Sequence, residues 1–364
     1  MAMLDALDRK ALDPQDMMGA ILSLPEQCQR AREIAERADL KPLEGRSFSC
    51  AVVAGMGGSA IGGDLLRSIY QPVLAVPVEV SRDYHLPDYV SGEQSLVIAA
   101  SYSGNTEETL AAYDAARKAQ ASVLAVTTGG GLTARAARDG VATIQIPGGL
   151  QPRAALGYSF VPLIVASARL GLIPTPLLRE LDDMVAELVA VRNRCSPDVP
   201  HSSNPAKQLA ANWHGAIPVI YGSQGERGVI AYRWKTQINE NAKAFAVANV
   251  LPELDHNESV GWSGGEAQAR LERFFSVVFL RDDREPEHIR LRAELTKQIV
   301  EKHAATVTEV WAEGVGGLAR AMSLVYIGDF ASCYLAYAYR EDPTPVKVID
   351  WLKSQLAKAA RPSQ

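Results

Sequence analysis

Two kinds of apolar patterning alternate along most of this chain. Residues 13–37 have the mixed periodicity of a helix, with Asp13 as a suitable N-cap, Pro14 fitting the first helical position, and a second start at Pro25. From Phe48 the pattern changes to short runs that are apolar throughout. These runs predict strands over 49–55, 76–81, 95–101, 122–127 and 142–146, separated by amphipathic stretches such as 106–120. Strands without a polar face, alternating with helices, predict a parallel sheet covered on both sides, closing near Gly148 and Gly149.

Residues 155–195 read as helical and charged on one side, and the polar, proline-rich stretch SPDVPHSSNP at 196–205 reads as a break. The alternation then restarts. Strands are predicted at 217–221, 274–280 and 307–312, helices at 225–243 and 285–303, and a last helix at about 345–359 after a DPTP turn. The expected organisation is α/β: a helical extension at 1–45, a first doubly wound domain at 46–154, a helical connection at 155–205, and a second such domain with a C-terminal helix at 206–364.

Composition narrows the class. The chain has 364 residues, 47% hydrophobic and 22% charged, which is ordinary for a globular protein and sufficient for two cores. A formal net charge of −5 gives no electrostatic reason to expect nucleic acid or an anionic membrane as partner, so any anionic ligand must be held locally. Cys28, Cys50, Cys195 and Cys333 are scattered and read as reduced cytoplasmic thiols rather than disulfides or a zinc site. The N-terminus mixes charges early, unlike a signal peptide, and no run of about 18 apolar residues suggests a membrane span.

Two glycine- and hydroxyl-rich segments carry candidate chemistry. AGMGGSAIGGD at 54–64 follows the first strand and opens a helix, where glycines allow close backbone approach and free N–H groups face an anion. By itself it fits a degraded dinucleotide fingerprint, with Glu79 as a ribose-binding acid, or a tight turn with no ligand. SYSGNTEET at 101–109 follows the third strand and places Ser101, Ser103 and Thr106 ahead of another helix. Three hydroxyls plus free amides suit a phosphate dianion without a basic patch. As a bare turn, Thr106 before Glu107 and Glu108 would simply be an N-cap.

GMGGSAIGGD and SYSGNTEET resemble the sugar isomerase (SIS) domain, whose Ser/Thr loop holds the phosphate of a phosphosugar. QPRAALGY at 151–158, NENAK at 239–243, PELDHNESVGW at 252–262 and DPTPVKVIDWLK at 342–353 are similar to the bifunctional phosphoglucose/phosphomannose isomerase family, over about 48–355. The resemblance implies two SIS-type, flavodoxin-like domains and a metal-independent, cofactor-free aldose–ketose isomerase of glucose 6-phosphate, mannose 6-phosphate or both. Ser101, Ser103 and Thr106 would hold the phosphate, with Gly57, Gly58 and Ser59 near the sugar.

The same resemblance assigns the reacting groups. Glu240 would be the base that moves a proton between C1 and C2 through a cis-enediol, a task suited to a shielded carboxylate. Arg153 would stabilise the enediolate oxygen, and His256 would open the sugar ring, reaching the neighbouring subunit of a homodimer. Lys353 would contact the substrate or ring oxygen. The other histidines, His85, His201, His214, His288 and His303, have no metal-ligand spacing. Three rivals remain open: an isomerase of another phosphosugar, a sensor that binds the sugar phosphate without catalysis, and a dinucleotide enzyme. The N-terminal segment does not resemble the helix-turn-helix usual in such sensors, and the hydroxyl-rich third loop disfavours the dinucleotide.

Overall fold

The computed structural model describes residues 4–6 and 8–359. The first sheet is parallel, with strand order β2-β1-β3-β4-β5, built from β1 (Cys50–Ala54), β2 (Val78–Ser81), β3 (Ser95–Ser101), β4 (Ser122–Thr127) and β5 (Ala142–Gln145). Every residue of β3 and β4 is buried, which explains why both read as unbroken apolar runs with bounds at the positions the pattern predicts. Helices α4 (Gly57–Tyr70), α5 (Glu107–Lys118) and α6 (Gly130–Asp139) connect the strands.

The second sheet is also parallel, with order β7-β6-β8-β9: β6 (Ile217–Ser223), β7 (Val247–Leu251), β8 (Phe275–Arg281) and β9 (Thr306–Trp311). Both orders place the central pair β1/β3, or β6/β8, where the chain reverses its direction of travel across the sheet. Open α/β sheets form their ligand crevices there. Around the second sheet lie α10 (Glu226–Gln237), α11 (Glu258–Gly261), α12 (Glu266–Glu272) and α13 (Glu287–Val300).

Short N-terminal helices α1 (Arg9–Leu12), α2 (Met17–Leu22) and α3 (Leu24–Arg37), with α7 (Leu156–Arg169), α8 (Glu180–Cys195), α9 (Pro205–Trp213) and α14 (Gly316–Ala338), knit the two sheets into one apolar core. The 23-residue α14 is its axis, buried continuously from Leu318 to Ala338 and packed on α8, α9 and α10. Gly328 lets α10 come close, because a Cβ there would lie 2.2 Å from Trp234 Nε1. Trp234 donates that N–H to the carbonyl of Leu324 at 2.9 Å. Among the described residues, no helix is long and apolar enough to cross a membrane. The last helix, α15 (Lys347–Ala359), is the exception to this packing: Val348, Trp351, Leu352 and Leu356 are all exposed.

Several local expectations are corrected. The segment 13–37 is not one helix. Asp13 instead accepts from the amides of Met17 and Met18 at 2.8 and 2.9 Å, while Asp16 caps α2 and Ser23 starts α3. Helix α7 has no charged face, since all its residues from Leu156 to Ala168 except Tyr158 are buried. Strand β7 and the long α14 have no counterpart among the expected elements, and the helix expected over 225–243 ends in a π-turn (Ile238–Ala242).

Candidate active site

At the carboxyl end of β3, the loop from Ser101 to Thr106 folds on itself. The Ser101 and Thr106 hydroxyls lie 2.8 Å apart, the Gly104 amide donates to Ser101 Oγ at 3.1 Å, and the Asn105 amide donates to Ser103 Oγ at 3.2 Å. Gly104 adopts φ 68°, a left-handed conformation that glycine accepts without strain; a Cβ there would strike the Gly129 carbonyl. Thr106 occupies the N-cap position of α5, yet its hydroxyl makes no capping bond. The first amides of this helix therefore have no side-chain cap and lie beside three hydroxyls, as an anion cradle requires.

The cradle is tied to the head of α4. Buried Ser59 accepts the amide N–H of Tyr102 at 3.1 Å, and Tyr102 Oη accepts from the Leu150 amide at 3.2 Å. Gly58 lies so close to the turn Pro152–Ala154 that a Cβ would come 2.7 Å from the Pro152 carbonyl. Gly57, at φ 51°, faces open space. Thus Gly57, Gly58 and Ser59 in the first turn of α4 lie beside the loop that carries Ser101, Ser103 and Thr106, and their neighbour is the turn that carries Arg153.

Arg153 is 3% exposed. Its guanidinium donates to Asn241 Oδ1 at 2.6 Å, Glu240 Oε2 at 3.3 Å, and the carbonyls of Pro343 and Thr344 at 2.7 and 2.8 Å. Burial pulls its pKa below the usual arginine value while Glu240 pulls it back, and an arginine so placed remains protonated. Glu240 is held by the π-turn at the end of α10, a distortion frequent at functional sites, and its side chain is 32% exposed. It borders a groove of about 670 Å³ lined by Lys243, Phe245, Val346 and Ile349 among others.

Behind this pair lies a buried polar network. Asn241 Nδ2 donates to Ser332 Oγ at 2.9 Å. Arg233 bonds both carboxylate oxygens of Asp329, at 3.1 and 2.7 Å, and also the Arg153 carbonyl at 3.0 Å. Gln237 donates to Asp329 at 2.8 Å. Burial pushes the Asp329 carboxyl up, opposed by Arg233. Sequence reasoning places Asn241 and Lys243 within a motif but assigns them no role, and it misses Arg233 and Asp329 altogether. A lone carboxylate inside a long, largely apolar helix is the sequence signal for Asp329.

His256 and Lys353 are not brought to this centre within the chain. His256 is exposed at the end of the turn Glu253–His256, on a rigid support: Leu254 is buried, Asp255 accepts from Arg292 and Thr296 at 2.9 and 2.8 Å, and Trp262 bonds Tyr221 at 3.0 Å. Lys353 is exposed on α15; the lysine of that helix that lines the groove is Lys347. A larger cleft, about 1010 Å³, lies between α4 and the start of α10, where Arg67 and Arg82 already share Asp64. It contains neither the hydroxyls nor Glu240, so size does not mark the chemistry here.

The second sheet has no such cradle among the described residues. The loop after β8 is filled by ion pairs instead: Arg320 with Asp282 at 2.8 Å, Arg281 with Glu285 at 3.1 Å and Arg227 with Glu285 at 3.6 Å.

Paired parallel sheets with a hydroxyl cradle at the carboxyl end of one define a sugar isomerase (SIS) protein. Residues 202–356 match the family described as bacterial phospho-glucose isomerase C-terminal SIS domain. The chain is 44% identical to the bifunctional phosphoglucose/phosphomannose isomerase of Caldicellulosiruptor bescii over 94% of its own length and 99% of that protein. It is 38% identical to the protein of the same name from Thermoplasma acidophilum, over 85% and 91% of the two chains. The chain belongs to the bifunctional phosphoglucose/phosphomannose isomerase family. The crystal structure of a hypothetical protein from Thermus thermophilus shares the fold, with a TM-score of 0.74 at 17% identity over 94% of this chain and 90% of that one.

Replacing Asp329 by Ala leaves the Arg233 guanidinium buried with only the Arg153 carbonyl, and is expected to lower stability by about 3–5 kcal/mol. Urea unfolding measures this; a midpoint near wild type would mean that the network does not hold the site.

Proposed function

We propose that this protein interconverts glucose 6-phosphate and mannose 6-phosphate with fructose 6-phosphate through a cis-enediol. The observation that carries this reading is the Arg153–Glu240 pair at 3.3 Å, set beside a cradle of hydroxyls and uncapped helix amides. Membership of the bifunctional family supports the choice of sugars.

In the proposed reaction the phosphate rests on Ser101, Ser103 and Thr106, and the sugar passes over Gly57, Gly58 and Ser59. Glu240 takes the proton from C2 of the open-chain aldose and returns it to C1, while the proton of the C2 hydroxyl passes to the C1 oxygen, giving the ketose. Negative charge gathers on the C1 and C2 oxygens in between, and the Arg153 guanidinium meets it. Because that cation is already seated by four acceptors, it need not reorganise as the charge develops, and the reaction needs no metal. Glucose and mannose 6-phosphates differ only at C2, which becomes the carbonyl of their common product. One enediol therefore serves both, provided either face of C2 can be protonated.

Ring opening falls to His256 of a second protomer. Its exposed, braced position and the exposed apolar face of α15 support a homodimer. Lys353, on that helix, contacts the substrate or ring oxygen in the assembled site.

A coupled assay with EDTA present, starting from fructose 6-phosphate, is expected to yield both aldose phosphates. The Glu240→Gln variant should lose at least about 10³-fold in kcat while still binding the sugar phosphate. Unchanged turnover in that variant would remove Glu240 from the mechanism, and turnover abolished by EDTA would remove the metal-free route. Mixing Glu240→Gln with His256→Ala protomers should recover about one quarter of wild-type activity if the histidine crosses a two-fold interface. No recovery from exchanged subunits would place the histidine in its own chain's site.

A further inference from the structure

We propose that Lys243 is a positioning residue for the reaction assigned above, on whose reading this inference rests: its ammonium fastens residues 342–344 to the π-turn and so keeps Arg153 seated against Glu240. Lys243 ends that turn at φ 52°, ψ 26°, a left-handed conformation that residues other than glycine and asparagine seldom adopt. This backbone turns Nζ back on the structure, where it donates to the carbonyl of Asn241 at 3.1 Å and to the carbonyl of Asp342.

Two cations thus grip three consecutive carbonyls. Lys243 takes that of residue 342, and Arg153 takes those of 343 and 344 at 2.7 and 2.8 Å. Both also bind Asn241, Lys243 at its carbonyl and Arg153 at its side-chain oxygen. Residues 342–344 have no regular secondary structure and lead into the exposed helix α15, so these bonds are what fasten them beside Glu240. Releasing the Lys243 end loosens two of the four acceptors that orient Arg153.

The charges around Nζ give the clamp a pH signature. Burial and then Arg153 draw the Lys243 pKa below the usual lysine value of 10.5, opposed by Asp342 and Glu341. The outer side of the residue is open to solvent, which tempers the shift. Glu240 and Lys347 line the same groove, and the neighbouring Cys333 thiol is pushed up by burial and stays neutral. The charged clamp is complete below the Lys243 pKa and is lost as pH rises through it.

Two variants separate charge from backbone. Lys243→Asn keeps a residue that tolerates left-handed φ but removes the cation, and Lys243→Arg keeps a cation that does not titrate. Steady-state kinetics with fructose 6-phosphate between about pH 7 and 10.5 are combined with hydrogen exchange at the Glu341 and Thr344 amides, which bond the Ala336 carbonyl and the Asp342 carboxylate, each at 2.9 Å. Lys243→Asn is expected to lose about tenfold or more in kcat with KM within about threefold, and to exchange faster at both amides. Lys243→Arg should keep most of its kcat and carry it to higher pH than wild type. Wild-type kcat and exchange in Lys243→Asn, or an unmoved alkaline limb in Lys243→Arg, would overturn the proposal. If the wild-type protein turns over no fructose 6-phosphate, the assigned reaction falls, and the exchange rates still decide: faster in Lys243→Asn supports the clamp, unchanged refutes it.

Discussion

Arg153 carries a full charge at a place where it is 3% exposed, and all its acceptors come from the second half of the chain: Glu240, Asn241, Pro343 and Thr344. Removing a guanidinium from water costs several kcal/mol, and only a complete set of well-placed acceptors offsets it. The cation therefore constrains three separate pieces of chain to one arrangement: the turn after the first sheet, the π-turn after α10, and residues 342–344. The first of these abuts the head of α4, whose Ser59 holds the hydroxyl-rich loop after β3. A carboxylate suited to moving a proton and a cradle suited to a phosphate are thereby held in register by the same buried charge.

The two halves share a sheet order and differ where chemistry is decided. After β3 the loop offers hydroxyls and free amides; after β8 the corresponding loop is closed by pairs among Arg227, Arg281, Arg320, Asp282 and Glu285. The first half thus supplies the hydroxyl-lined loop and Arg153, and the second supplies, from the far end of α10, the Glu240 carboxylate paired with that arginine. Helix α14 makes this division workable, because it buries α10 and brings Asp329 beneath the site.

What can be read in advance follows from burial. Strands β3 and β4 are enclosed on both faces, so their composition alone marks their bounds. Strand β7 lies at a sheet edge, mostly half-buried and interrupted by Asn249, and leaves no such mark. Helix α14 is apolar all round, so it shows no periodicity to betray a helix. The position of the hydroxyl- and glycine-rich loop 101–106 is legible because it directly follows a buried strand whose bounds are plain. The π-turn is not, since its cause is tertiary: Asn241 and Glu240 answer to Arg153, nearly ninety positions away. His256 and Lys353 can be named from motif resemblance, but both lie exposed and away from the residues bonded to Arg153.

The most direct measurement is a crystal structure with arabinonate 5-phosphate, whose carboxylate imitates the enediolate and cannot react. The phosphate should lie on Ser101, Ser103 and Thr106 with the first amides of α5, and the carboxylate should meet Arg153 with Glu240 alongside. An analogue bound elsewhere, such as the cleft beside Arg67 and Arg82, or bound with its carboxylate turned away from Arg153, would contradict the role given to that buried cation.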